Sequence, residues 1–243
     1  MGAGWYFSHH CPDVAAPQRL WPWGFTQTFE KVLSLVMTGG VILVFARAPE
    51  AGQAKTRLIP KLGPEGAARL HSRLVHLTLD TATAFHNASV QLWCSPDRHQ
   101  SFFNQCRATY DVALQTQSGV DLGERMFNAF SQALADYDWA LLIGTDCPDL
   151  SIEDFGQAEQ DLNNGIDVVL GPAADGGYYL IGLKRPEPNL FQNIPWGSSE
   201  VLSCTYTRLK ESGLTFSQLH EHHDIDRPGD LIRFPGLFDA DRR

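Results

Sequence analysis

The chain has 243 residues, 43% of them hydrophobic and 19% charged, with a formal net charge of -9. That length suits one large α/β domain, and the composition is ordinary for a protein with a sizeable buried core. The acidic balance argues against a nucleic-acid partner, since no basic field is present to release the counterions of a phosphate backbone, but it leaves room for a nucleotide held in a local pocket. Five cysteines (Cys11, Cys94, Cys106, Cys147 and Cys204) are scattered without a CxxC pair, which fits a reducing cytoplasm better than a disulfide framework or a zinc ribbon. No apolar run approaches the ~20 residues that a membrane span needs.

Residues 1–36 cluster Trp, Pro and His without a helical or strand period. The expectation is a poorly ordered extension or a misassigned start, with the domain proper running over residues 37–243. A signal peptide over Val32–Ala46 is disfavoured, because the following residues continue as a strand and loop.

Val41–Phe45 is β-branched and apolar, the pattern of a buried strand. It runs into a loop, Ala46–Leu58, that carries Pro49, Gly52 and three cations, Arg47, Lys55 and Arg57. Such a loop after a first strand is a candidate phosphate cradle, although it lacks the glycines of a Walker A motif. The bland alternative is a solvated basic loop. Gly63-Pro64 opens a helix with Leu70, Leu74, Leu77 and Phe85 on one stripe. Val90, Leu92 and Cys94 alternate as a second strand, a helix is expected over Asp97–Cys106, and a short strand over Val112–Gln115. The segment Ser118–Met126 leads into a helix whose apolar side holds Met126, Ala129, Phe130, Ala133 and Leu134. Its first residues, Asp121, Glu124 and Arg125, serve either as caps or as pocket groups.

Ala140–Gly144 is a short apolar run that breaks into Thr145, Asp146, Cys147, Pro148 and Asp149. It reads as a buried, central and parallel strand, and ligands of open α/β sheets bind at the carboxyl ends of such strands. Carboxylates there can hold a divalent cation and a phosphate, or Asp149 and Ser151 can simply cap the next helix. Ser151 and Asp154 form a capping-box variant for a helix to about Leu162. Val168–Leu170 is the next strand, followed by Gly171–Gly182, in which Asp175, Gly176 and Gly177 let backbone approach a ligand, with Tyr178 or Tyr179 offering a stacking face or a hydroxyl, or make a hairpin turn, and both can hold at once. Pro195–Ser199 caps a helix through about Glu211, and Leu214–Leu219 is a late strand. His220, His222 and His223 admit a zinc site but lack its usual helical spacing; Asp224 and Asp226 are better suited to magnesium. Strands alternating with helices give an α/β fold with a mainly parallel sheet.

The segments FARAPEAGQAKTRL, DLGERM, LLIGTDCPDL, GPAADGGYYLIGL, IPWGSSEVL and DIDRPGDL, in this order, resemble bacterial GT-A-fold glycosyltransferase-like proteins. Those proteins are described with radical-SAM, selenium or arsenosugar gene clusters, and their superfamily includes the molybdenum-cofactor and 2-phospholactate nucleotidyltransferases. The resemblance covers about Met37–Leu231 and implies a single GT-A, Rossmann-like domain with helices on both faces of the sheet. It implies that Arg47, Lys55 and Arg57 hold nucleotide phosphates, with Ala46, Gly52 and Thr145 in the same motifs as nucleotide contacts. Asp146 and Asp226 would bind Mg2+ or Mn2+. Asp175, with Gly176 and Gly177, would line the acceptor side, and Asp175 would position or deprotonate an acceptor hydroxyl.

The expected activity is metal-dependent glycosyl transfer from a nucleotide sugar to a small-molecule acceptor. The alternative is nucleotidyl transfer from a nucleoside triphosphate to a phosphorylated acceptor. It is favoured by Thr145-Asp146-Cys147-Pro148, which carries one acid where an Asp-x-Asp signature has two. A degenerate, non-catalytic nucleotide-binding protein is the third reading. The expected cellular place is the cytoplasm; the sequence leaves the oligomeric state open.

Overall fold

In the computed structural model, which describes residues 39–237, the first strand extends over Gly40–Arg47 (β1), and all but its last residue is buried. A 3-10 turn at Thr56–Leu58 leads into α1 (Ile59–Ala84). Gly63 breaks α1 near its start with a φ of 69°, so the long straight part begins at Pro64, as the Gly-Pro pair predicts. Next come β2 (Ala88–Ser95), α2 (Ser101–Tyr110), β3 (Ala113–Thr116), α3 (Leu122–Ala133) and β4 (Trp139–Ile143). After these follow α4 (Ile152–Asn163), β5 (Val168–Pro172), β6 (Tyr178–Leu183), α5 (Val201–Glu211) and β7 (Phe216–Gln218). The expectations about residues 1–36 lie outside the described residues.

Three elements sit differently from their sequence expectation, one of them β7, which spans only three residues of the expected Leu214–Leu219. Helix α2 starts four residues late, because the Asp97 carboxylate accepts from the backbone N–H of His99 and holds a turn there. Helix α5 begins at Val201, after a Glu200 that makes no side-chain cap bond, although Ser198 does accept from the Glu200 N–H.

The seven strands form one sheet in the order β3-β2-β1-β4-β6-β5-β7. Strand β1 pairs in parallel with β2 and β4, β2 with β3, and β5 with β7. Strand β6 is antiparallel to both of its neighbours, β4 and β5. The Trp139–Ile143 strand is therefore central and wholly buried as expected, parallel on its β1 side and antiparallel on its β6 side.

Alternation along the strands sends apolar side chains to both faces. Ile42, Val44, Leu141 and Ile143 meet Val75 and Leu79 of α1, Phe103 of α2 and Phe155 of α4. Val41, Leu43, Ala140 and Leu142 meet Met126 and Phe130 of α3 and Leu209 of α5. Each fully buried Leu, Ile or Phe contributes about 1.5–3 kcal/mol of transfer free energy. Helices thus cover both faces. A smaller core under the Lys55 loop packs Leu58, Leu70 and Leu74 around Ile225. No helix of the described residues is long and apolar enough to cross a membrane.

Candidate functional site

The parallel strands β1 and β4 end on the same edge of the sheet, and the loop after β1 folds back over that edge. Lys55 anchors it. Its backbone is left-handed (φ 49°, ψ 44°), a conformation costing an ordinary residue about 1–2 kcal/mol. The cost is offset by where it aims the side chain. The Lys55 ammonium, only 4% exposed, lies 2.7 Å from Asp146 Oδ1 and also donates to the Ile225 carbonyl. Asp146 sits just past β4. Its carboxylate is 49% exposed, opening into a cleft although protein surrounds it.

Beyond β7 the chain crosses the strand ends as a strap. Leu219 donates to Leu170, and His222 donates to Pro172 while its carbonyl accepts from Ala174. The Ile225 N–H then donates to the Asp146 carbonyl at 2.8 Å. The Ile225 peptide is thus held from both sides, by Asp146 and by Lys55, and its side chain is fully buried. With Ile225 turned inward, its neighbours Asp224 and Asp226 reach the cleft. Asp230 holds the following turn by accepting from the N–H groups of Asp226 and Arg227. Asp226 pairs with Arg57 of the loop.

The cleft has a volume of about 340 Å³. Its third contributor is the turn between β5 and β6, so the hairpin reading of Asp175-Gly176-Gly177 holds. Ala173 donates to the Gly177 carbonyl, and the Asp175 carboxylate accepts from the Gly177 N–H at 2.8 Å. Gly176 (φ 92°) is required by a protein contact: a Cβ there would lie 2.3 Å from the Ser199 carbonyl. Its carbonyl accepts from Leu202 N–H and so satisfies one of the open donors of α5. A register shift opposite Gly171 and Pro172 re-aims the two tyrosines. Tyr179 joins the α4 face, donating to Asp154 at 3.0 Å, and Tyr178 turns toward α3 and α5.

The charges act on one another. Burial is the strongest influence on the Asp146 carboxyl and pushes it up, but Lys55 and His71 together outweigh it and hold the group below its ordinary value. Burial, reinforced by repulsion from Asp175 and Asp146, pushes Asp224 up to about 6. His71 of α1 lies under the loop with Nε2 3.0 Å from the Arg47 carbonyl and a buried, unpartnered Nδ1. Burial pushes this imidazole down, against the pull of Asp146.

The structure brings Lys55, Arg57, Asp146, Asp175, Gly177 and Asp226 to one site. Arg47 stays on the outside of its loop, exposed, donating to the Gln53 carbonyl at 3.3 Å, and Gly52 is likewise exposed. Ala46 and Thr145 are buried beneath it. Asp121 and Glu124 act as caps: Asp121 accepts from Glu124 N–H, and Glu124 from Val120 N–H. Ser151 and Asp154 complete the capping box, with Asp149 exposed beside them. The histidines are spread over other duties. His222 lies 2.9 Å from Asp154, and Arg233 approaches His223. Among the described residues no three His, Cys, Asp or Glu side chains gather as a cage for an ion.

Of the apolar wall of the cleft, sequence reasoning offered Tyr178 as a stacking face and missed Phe45, Leu142, Trp196 and Val201. The signal was Trp196, a large aromatic in the otherwise polar segment Pro195–Ser199. His71 was missed because a lone histidine within an apolar helical stripe carries no mark of what lies beside it.

Residues 78–198 match the bacterial family described as "Uncharacterized protein conserved in bacteria (DUF2064)". The matched stretch holds Asp146, Asp175 and Trp196 but neither the Lys55 loop nor the strap. No curated protein matches the chain. A protein of Desulfovibrio desulfuricans G20, described provisionally as a nucleotide-diphospho-sugar transferase, is 32% identical, with a TM-score of 0.74 over 85% of this chain and 91% of its own. The fold is shared at 11% identity with CMP:2-keto-3-deoxy-manno-octonic acid synthetase in complex with CTP, with a TM-score of 0.55 over 84% of this chain and 100% of that one. It is shared, also at 11%, with the glucosyl-3-phosphoglycerate synthase of Mycobacterium tuberculosis in complex with Mn2+ and UDP, with a TM-score of 0.50 over 88% of this chain and 81% of that one.

Proposed function

The chain belongs to the bacterial DUF2064 family, within the nucleotide-diphospho-sugar transferase fold group, and from that membership we propose a metal-dependent transferase that moves a glycosyl group from a nucleotide sugar to a small-molecule acceptor. The observation that carries the proposal is the Lys55–Asp146–Ile225 clamp. It joins the cationic loop, the acid at the end of the central strand and the acidic strap in one cleft.

In this reading Lys55 and Arg57 hold the donor diphosphate, and Arg47 leaves the Gln53 carbonyl to join them. Fixed cations of this kind stabilise charge that builds on a leaving group. The acceptor hydroxyl attacks the anomeric carbon, the bond from that carbon to the phosphate oxygen breaks, and the nucleoside diphosphate leaves with the bonding electrons. Asp175 orients the hydroxyl and takes its proton.

A divalent ion fits the residues present. The donors facing the cleft are carboxylate oxygens, and the nearby Cys147 thiol is buried and pushed up to about 12, so it offers no soft thiolate. An open set of few carboxylates is how magnesium is bound when substrate phosphates supply the remaining ligands. Asp146 with Asp226 would hold the ion, and Asp224 is a third carboxylate lining the cleft, near enough to Asp146 to feel its charge. Once bound, it would neutralise the diphosphate. The relative crystallised with Mn2+ and UDP supports this through fold likeness alone.

Calorimetry with UDP, GDP, CDP and ADP in the presence of Mn2+ tests the proposal. Binding of one of them, abolished in Asp146→Ala, is expected; failure of all four would refute it. The single acid of Thr145-Asp146-Cys147-Pro148 favours a second reading, in which an acceptor phosphate attacks the α-phosphorus of a nucleoside triphosphate and pyrophosphate leaves. Pyrophosphate release from a triphosphate mixture with cell extract separates the two. We also place the protein in a reducing cytoplasm, where Cys94, Cys106, Cys147 and Cys204 would persist as the free thiols observed.

A further inference from the structure

The cleft is chemically two-sided. The carboxylates Asp146, Asp175, Asp224 and Asp226 face one side, with Arg57 the one cation among the lining residues, already paired with Asp226. Lys55, beneath them, is committed to Asp146 and the Ile225 carbonyl. The other side enters the sheet face that α3 and α5 cover. Its floor is Phe45 and Leu142, and its sides are Met126 of α3, Val201 of α5 and the rings of Tyr178 and Trp196.

That apolar end is built rather than incidental. The Tyr178 and Trp196 rings meet edge to face with centroids 6.4 Å apart. Trp196 is seated on Gly123, where a Cβ would lie 2.7 Å from the indole nitrogen and 2.4 Å from the Phe191 carbonyl. Helix α3 therefore starts Leu-Gly so that an indole can close the wall. Leu122 forms the lip and is left 43% exposed, with Val120, 90% exposed, two residues before it.

We infer that this chamber receives the acceptor, and that the acceptor is a non-anionic hydroxyl compound with an apolar, ring- or alkyl-bearing body. The inference rests on the transferase reading and narrows its substrate. The apolar body is desolvated against Phe45, Met126 and Trp196, while the hydroxyl reaches back toward Asp175. With Lys55 and Arg57 taken up by the donor diphosphate, a phosphate or carboxylate on the acceptor would meet Asp175 and Asp224 and no further cation among the lining residues. The charge of the chamber thus disfavours the phosphorylated acceptor of the nucleotidyl-transfer reading.

Fluorine NMR on the full chain tests this with 4-fluorobenzyl alcohol and 4-fluorobenzyl phosphate as probes. The alcohol is expected to bind at least tenfold more tightly than the phosphate ester. Trp196→Ala should weaken the alcohol at least fivefold, and Leu122→Glu, at a half-exposed lip where the fold is not at stake, should do the same. Equal or tighter binding of the phosphate ester would overturn the inference, as would alcohol binding that Leu122→Glu leaves untouched. Calorimetry of nucleotide binding on the same samples reports separately on the transferase reading. Alcohol binding without binding of any nucleotide would overturn the assignment of the chamber to an acceptor while leaving its selectivity measured.

Discussion

The Lys55–Asp146 pair is expected to behave as one energetic unit. Lys55 is 4% exposed and Asp146 49%, with the nitrogen 2.7 Å from the oxygen. Breaking a fully buried pair by removing one partner costs about 3–5 kcal/mol, whereas exposed pairs contribute about 0–1 kcal/mol. With one partner enclosed and the other open to the cleft, the coupling should fall between these, near 2 kcal/mol. Asp146→Ala strands a buried ammonium whose remaining partner is the Ile225 carbonyl, a loss of about 3 kcal/mol. Lys55→Met leaves a cleft-facing carboxylate and an unsatisfied Ile225 carbonyl, a loss of about 2 kcal/mol. The double variant should cost about 3 kcal/mol, well short of the sum of the two. For a domain of this size 1 kcal/mol moves Tm by about 2–4 °C, so each single variant should melt several degrees early. Urea unfolding of the four proteins gives the cycle. Single costs that add to within about 0.5 kcal/mol would refute the reasoning, because independent sites add to that accuracy.

Ile225→Ala should destabilise by about 2–5 kcal/mol, since the side chain is fully buried among Leu58, Leu70 and Leu74, and should also weaken nucleotide binding by freeing Asp224 and Asp226 from their places; calorimetry and urea unfolding check both. Gly123→Ala should displace Trp196, seen as a change in tryptophan fluorescence and as lost 4-fluorobenzyl alcohol binding; an unchanged spectrum would contradict the close approach. Burial acts to raise the Asp154 carboxyl, but its bonds with His222 and Ser151 prevail and hold it below its ordinary value. A depressed carboxyl stabilises the fold above its unfolded pKa of about 3.9 and loses that contribution as pH falls through the folded value. Stability should therefore fall more steeply below about pH 4 in the wild type than in Asp154→Asn, measured by urea midpoints at pH 6 and pH 3. Cys94, buried and pushed up to about 12, should resist thiol reagents at pH 8 until the protein unfolds, a point that mass spectrometry of labelled peptides settles.

Much of the fold was legible because strand and helix periods leave a mark in one dimension. Val41–Phe45, Ala140–Ile143 and the Met126–Ala129–Phe130–Ala133 stripe are written in residue type alone. The antiparallel pairing of β6 with β5 was legible through the Asp-Gly hairpin turn, but its antiparallel insertion beside β4 was not, since an apolar run such as Tyr178–Leu183 reads the same in either direction. Site residues separated in the same way. Lys55, Asp146 and Asp226 stood out as charges among turn residues after strands. Arg47 stood out equally, yet its guanidinium lies on the outer side of the loop against Gln53. Nothing in the sequence distinguishes a cation that faces inward from one that does not. The left-handed backbone at Lys55, which decides the matter, is a property of the fold.

The acid count of the site shows the same limit from the other direction. Pro148 stands two residues after Asp146, where an Asp-x-Asp signature would carry its second carboxylate, and read along the chain that leaves the site one acid short. In space the strap brings two further acids, Asp224 and Asp226, to the cleft that Asp146 lines. Burial of Ile225, clamped between the Asp146 carbonyl and the Lys55 ammonium, fixes the residues on either side of it at the cleft. Asp224 then comes near enough to Asp146 for their charges to act on each other, and burial, with repulsion from Asp175 and Asp146 added to it, raises its carboxyl to about 6. The number of carboxylates that line the cleft is therefore set by how Ile225 packs under the loop, some eighty residues from the motif where the deficit was read. A substitution at Ile225 should change the chemistry of Asp146 more than one at Asp149, although Asp149 belongs to the same motif.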